Sequence, residues 1–281
     1  MRIEIAEGAG AYVSDIDLNT PEDGDVQAMQ AALGQHGVLF FRDQKLTPEA
    51  HITLAEKFGA ININRFFAPV PDYPQIAQVL KEPAQQKNIG EVWHTDHSYD
   101  QIPALGSILV ARELPADGGD TLFVSQIAAY DALDVAMKQR LAHLTATHSS
   151  RHVFGAKARS ENDGDMKGRI GNPESATQDA VHPLVIMHPF SRKPVIYVNP
   201  QFTIRINELD NPQSDQLLQQ LFAHCNDERF QHRFQWEPGS IAFWDNRATW
   251  HRAMNDYAGH RRLMHRITIE GVPLKSESNV R

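Results

Sequence analysis

Between residues 20 and 59 the apolar positions change their period twice. Thr20-Pro21 has the chemistry of a helix start, and Val26, Met29 and Leu33 recur after it at helical spacing. Gly37 ends that pattern, and the uninterrupted apolar run Val38 to Phe41 predicts a buried strand. Thr47-Pro48 then opens a second helix, with Ile52, Ala55 and Phe58 on its apolar face and Gly59 at its end. Both helices are expected to cover the outside of a sheet.

From Ile76 onward, short apolar runs are bounded at close intervals by Pro, Gly and Asn. They include Ser107 to Ala111, Leu122 to Val124, Val195 to Asn199, Ser240 to Trp244 and Leu263 to Ile269. This spacing suits an antiparallel barrel or sandwich better than alternating βαβ units. Ser125 starts a helical pattern that runs to about Leu144, and Ser214 to Cys225 carries another. The stretch from Gly155 to Ala180 is polar, glycine-containing and aperiodic, which predicts a long loop and a candidate active-site lid. With no internal repeat and no linker, residues 1–281 are expected to form a single domain, mainly β with flanking helices.

Composition narrows the chemistry. A chain of 281 residues, 41% hydrophobic and 22% charged, is long enough to bury a large core. Its formal charge of -8 is spread without a basic stripe, which argues against a nucleic-acid partner. The lone Cys225 excludes an intramolecular disulfide and a thiolate metal cluster, and fits a reducing compartment. No apolar run approaches membrane-spanning length, and the start MRIEIAEGAG has neither the basic nor the apolar part of a signal peptide. A cytoplasmic protein is therefore expected. Its partners would be a small-molecule substrate and, in a homo-oligomer, other copies of the chain, with neither nucleic acid nor membrane.

His94 and Asp96 stand two residues apart in WHTD, and WDNRATWH ends far downstream at His251. A His-x-Asp pair is expected about once by chance in a chain with 14 histidines, so the pair alone carries little. The setting adds more. Residues i and i+2 of an extended segment face one side, and a closed barrel can bring a distant strand alongside them. If His94, Asp96 and His251 converge, they form the face of two histidines and one carboxylate that non-heme Fe(II) oxygenases use to activate O2. Arg262 and Arg266 lie four apart in the strand-like run RLMHRITI, which places both on one face. Inside a barrel, two guanidinium groups need anions, and arginine binds carboxylates through paired hydrogen bonds. On the solvent face of an edge strand they would need none.

These motifs together resemble the Fe(II)/2-oxoglutarate-dependent dioxygenases of the TauD/TfdA family, the taurine and phenoxyacetate-herbicide type. The resemblance runs through HGVLFFRDQ (36–44), KFG (57–59), WHTD (93–96), GGDTLF (118–123), WDNRATWH (244–251) and RRLMHRITI (261–269). It implies a double-stranded β-helix, a cupin-like jelly roll flanked by helices. His94, Asp96 and His251 would be iron ligands, and Thr121 and Arg262 would hold the distal carboxylate of 2-oxoglutarate. Arg266 matches the arginine near the anionic group of the main substrate. The implied reaction consumes O2 and 2-oxoglutarate, releases succinate and CO2, and hydroxylates a small anionic compound such as an organosulfonate, a sulfate ester or an aryloxy acid. Where the taurine enzyme carries a His-Pro pair and a Tyr, this chain reads RFFAPVPDYP (65–74), with Ala68 or a neighbouring Phe in place of the His. Its asparagine before WHTD is also missing, with Gly90, Glu91 and Val92 there. Phe66 and Phe67 either line a more apolar pocket or belong to the core; His97 and Tyr99 can touch substrate, or His97 can be structural. Two other readings use the same residues. A jelly roll can hold Zn(II) or Mn(II) for hydrolysis or isomerisation, active without O2 or 2-oxoglutarate, and a non-catalytic module can bind a small anion without releasing succinate.

Overall fold

The strand Val38–Phe41 is buried at every position, and its side chains divide between two cores. Val38 and Phe40 join Leu109, Ala242, Trp244 and Met264 on one side. Leu39 and Phe41 join Ile108, Val110, Ile241 and Phe243 on the other. A period of two across hydrogen-bonded neighbours produces this division, and burial on both faces explains why the run is apolar throughout. A computed structural model of the chain describes residues 1–161 and 163–276. Residues 162 and 277–281 of the expected domain lie outside the described residues.

The strand belongs to a nine-stranded sheet whose centre runs Val38–Phe41, Ile241–Asp245, Gly106–Glu113, Arg262–Ile269 and Tyr73–Lys81. Opposite it lies a three-stranded sheet ordered Gln231–Phe234, Thr121–Ser125, Thr249–Ala253. Phe40 stacks on Phe234 at 4.5 Å between ring centroids and meets Phe123 at 5.5 Å, so the inner core joins the two sheets. Outside the large sheet, the helices Asp23–His36 and Pro48–Glu56 contribute Met29, Ala32, Leu33, Leu54 and Ala55 to the second core. Beyond the small sheet, Trp250 and Val124 pack with Leu217, Leu218 and Leu221 of the helix Asn211–Cys225. Two facing, mainly antiparallel sheets with helices outside make the sandwich expected from the strand spacing and the jelly roll that the resemblance implied. Among the described residues no helix is long and apolar enough to cross a membrane.

Local chemistry moves several boundaries. The first helix begins at Asp23, because Glu22 and Asp25 form a reciprocal capping box downstream of Thr20-Pro21. Thr47 caps the second helix as expected, accepting from the amide of Ala50 at 3.2 Å. The helical pattern from Ser125 to about Leu144 divides into Gln126–Asp131 and Val135–Leu141. Asp134 lies at the break and accepts from the amide of Met137 at 2.7 Å, so a new cap replaces continuation of the first helix. Asp134→Ala should lower stability by about 1 kcal/mol, seen as a lower urea midpoint at unchanged slope. The segment expected as a loop carries the short helices Ala156–Glu161 and Asp163–Met166, a 3-10 turn at Pro173–Ser175, and the start of the strand Asp179–Pro183. Turns this short, interrupted by Gly164, Gly168 and Gly171, are too brief to show an apolar period.

Candidate active site

The connection from Ile241–Asp245 in the large sheet to Thr249–Ala253 in the small one is fixed by a buried charge cluster. Asp245 accepts from the backbone amide of Arg247 at 2.8 Å and from its Nε and Nη2 at 2.8 and 2.6 Å, with His188 Nε2 3.0 Å away. Burial opposes the Asp245 carboxylate, yet Arg247 and His188 hold it below the usual carboxylate range. The clamped connection presents Thr249–Ala253 to the segment at 93–96. The amide of His94 donates to the carbonyl of His251 at 3.2 Å, and that of His251 donates back at 2.9 Å. Thr95 Oγ1 adds a bond to the carbonyl of Thr249 at 2.9 Å.

That pairing sets two imidazoles side by side, with ring centroids 4.1 Å apart. His94 Nε2 lies 3.7 Å from Asp96 Oδ1, and His251 Nε2 lies 3.7 Å from Asp96 Oδ2. One ligand atom from each of the three residues falls within 4.8 Å of the other two. His94 Nδ1 meets the carbonyl of Val92 at 2.8 Å. A carbonyl only accepts, so this nitrogen carries the proton and Nε2 keeps its lone pair toward Asp96. Burial lowers the pKa of both histidines, His251 well below its ordinary value, and leaves them neutral donors. Asp96 is buried too, but the Arg266 guanidinium outweighs that burial and keeps it ionised. Two neutral imidazoles and one carboxylate form a donor set that suits a divalent first-row metal.

Arg262 and Arg266 both face inward with Met264, as their even spacing requires, while Ile267 and Ile269 enter the outer core. The guanidinium of Arg262 is buried, and its Nε and Nη2 have no hydrogen-bond partner. Those donors form one edge of the fork, the edge that matches the two oxygens of a carboxylate. Burial depresses the Arg262 pKa, opposed by Tyr257, Asp120 and Asp256. Gly119 permits this placement: its φ is 74°, and a Cβ there would lie 3.1 Å from Arg262 Cδ. Thr121 follows in the same turn, and its Oγ1 accepts from Trp236 Nε1 at 3.0 Å. The hydroxyl proton of Thr121 therefore remains available to an acceptor.

Arg266 has a partner that its sequence position did not suggest. Its Nη1 donates to Asp96 Oδ2 at 3.0 Å, its Nε has no partner, and its guanidinium lies 4.5 Å over the ring of Phe67. A cavity of about 480 Å³, within the range of small-molecule sites, is bordered by His94, Asp96, His251, Thr121, Arg262 and Arg266. Phe67 and Tyr99 also line it, whereas Phe66 and His97 do not. Phe66 stacks on Phe154 at 4.4 Å behind the wall. His97 adopts a left-handed φ of 59°, and its Nδ1 bonds Asp100 Oδ2 at 2.8 Å, away from the cavity.

The sequence reading passed over the Val92 carbonyl, Trp236, and the apolar wall formed by Phe154, Ile170 and Phe202. Gly90 was the one legible signal among them. At φ 79° it lies so close to His94 that a Cβ would stand 3.1 Å from Cε1.

Comparison with known proteins identifies the family to which the chain is similar. The family profile described as "Taurine catabolism dioxygenase TauD, TfdA family" matches residues 4–268. The chain is 31% identical over 274 residues to pentalenolactone F synthase of Streptomyces avermitilis, covering 92% of this chain and 90% of that protein. It is 29% identical to an alpha-ketoglutarate-dependent sulfate ester dioxygenase of Pseudomonas putida, with 95% and 88% covered. Its fold is similar to the crystal structure of a taurine dioxygenase from Burkholderia xenovorans, with a TM-score of 0.82, 28% identity, and 99% and 93% coverage.

Proposed function

This chain belongs to the TauD/TfdA dioxygenase family, and from that premise we propose that His94, Asp96 and His251 bind its single Fe(II). It is a 2-oxoglutarate-dependent non-heme iron dioxygenase. When bound, Fe(II) with 2-oxoglutarate supplies the oxidising power: O2 is consumed, the cosubstrate becomes succinate and CO2, and a substrate C–H bond gains a hydroxyl. The observation that carries the residue assignment is a single cavity bordered by both the donor trio and the unpaired fork of Arg262.

The chain's own residues have separate tasks. Val92 holds the His94 ring in the tautomer that offers Nε2 to the metal. Arg262 takes the distal carboxylate of 2-oxoglutarate side-on, and Thr121 donates its hydroxyl proton to the same group. Arg266 keeps Asp96 ionised through Nη1, and its Nε is the donor we assign to the anionic group of the substrate. Phe67, Val79, Tyr99, Phe154, Ile170 and Phe202 surround the rest of the substrate and exclude water. We assign these tasks to one domain over residues 1–281, with 155–180 as its lid, in a reducing, cytoplasmic setting that suits the buried free Cys225.

The cavity walls favour an anion with a larger apolar body than taurine. Each buried methylene contributes about 0.8 kcal/mol, so a few added carbons should outweigh the polar contacts replaced by RFFAPVPDYP. Succinate release with Fe(II) and 2-oxoglutarate should be faster with longer alkyl or aryl sulfonates, sulfate esters or aryloxy acids than with taurine at equal concentration. Taurine leading that panel, or a neutral or cationic compound outpacing every anion, would defeat the substrate assignment. Turnover without O2 or 2-oxoglutarate would instead favour hydrolysis.

A further inference from the structure

We propose that Arg169, together with Asp165, is a positioning residue that fastens the segment 163–170 to the loop 82–92 and thereby sets one wall of the substrate cavity; the inference rests on the site assigned above. Residues four apart share a side of a helical turn. Met166 and Ile170 border the cavity, while Asp165 and Arg169 meet the loop. Asp165 Oδ2 accepts from the amides of Gln86, at 2.9 Å, and Lys87. Arg169 is 4% exposed; its Nε donates to the carbonyl of Leu80, and its Nη1 to those of Lys87 at 3.0 Å and Asp165 at 3.1 Å. The carboxylate takes the N–H of Lys87 and the guanidinium takes its C=O. Its Nη2 is buried without a partner, but a buried guanidinium whose Nε and Nη1 donate to carbonyls of separate segments is costly to pull away, which distinguishes this contact from a surface tie.

The loop is fixed on its other side. Asn88 Nδ2 donates to the carbonyl of Met254 at 3.1 Å, and Tyr257 Oη donates to Asn88 Oδ1 at 3.1 Å. Asn255 Nδ2 donates to the carbonyl of Gln86 at 2.9 Å, and Lys81 Nζ donates to Asn255 Oδ1 at 2.6 Å. Residues 87–92 border the cavity, and the loop ends at the Val92 carbonyl that orients His94. Arg169, whose Nη1 also lies 3.9 Å from Met166 Sδ, thus joins the apolar wall of Met166 and Ile170 to the main-chain support of His94 without touching His94 itself.

Hydrogen exchange by mass spectrometry tests the joint directly in the holoenzyme with Fe(II) and 2-oxoglutarate under anaerobic conditions. Arg169→Met and the milder Asp165→Asn should both speed exchange at 86–92 and at 164–170 together, while Lys167→Met, exposed on the same segment, should leave both at the wild-type rate. In turnover, Arg169→Met should raise KM for octyl sulfate about tenfold, leave KM for 2-oxoglutarate unchanged, and release more succinate per product. Wild-type protection at 86–92 in both variants would overturn the latch, as would an equal rise in the KM of octyl sulfate and of 2-oxoglutarate. If wild-type enzyme turned over no anion, the substrate reading would fail, and the exchange result would still decide the latch.

Discussion

Alanine at His94, Asp96 or His251 should abolish oxygen-dependent succinate release and bound iron. Each residue supplies one of three donors gathered within 4.8 Å, and the shortened side chain cannot reach the others. Disturbing only the outer partners of metal ligands costs about 10–100-fold, so losing a ligand outright should exceed that range. Iron content after desalting and succinate per minute are the readouts. Wild-type iron affinity and rate in both His94→Ala and His251→Ala would exclude this ligand set. The same geometry fixes the direction of the pH dependence. A proton and a metal compete for Nε2, and burial lowers the pKa of both rings from the ordinary 6.5. Iron should therefore stay bound at about pH 6, where an ordinary imidazole is already largely protonated.

Arg262→Ala should raise the apparent KM for 2-oxoglutarate by about a hundredfold or more, with substrate KM far less affected. Breaking a buried charge pair by removing one partner costs about 3–5 kcal/mol, which converts to that factor. The fork of Arg262 is buried with two unpaired donors, so no other protein group on that edge softens the loss. Arg262→Lys should recover little, because a point charge cannot reproduce two parallel bonds. An unchanged 2-oxoglutarate KM in Arg262→Ala would remove the residue from this role.

What could be read from the chain depended on the range of the physics behind each feature. That Arg262 and Arg266 share one face follows from strand parity alone, whereas only the fold shows that this face is buried. Asp96 lies two residues from His94, so those two can share an ion without knowledge of the fold, whereas His251 needed an imagined barrel closure. The pairing of Arg266 with Asp96 spans 170 residues and leaves no local trace. Phe66 and Phe67 are parted by a bend in which Asn64 Oδ1 accepts from both of their amides, so one stacks on Phe154 while the other lies beneath Arg266. Of the two roles open to His97, its own left-handed backbone and its bond to Asp100 select the structural one. The break at Asp134 and the short turns from 156 to 166 escaped because a good cap or a one-turn helix competes locally with periodicity.

The reciprocal amide bonds between His94 and His251 bear on the order of events during maturation. Main-chain hydrogen bonds bring these two side chains together, and the ladder that does so is continuous with the small sheet of the fold. The polypeptide can therefore acquire its shape first and be charged with iron afterwards, through the open mouth of a finished vessel. Loss of the ion in an oxidising or chelating medium would then be a reversible discharge, undone by resupply without passage through the unfolded chain.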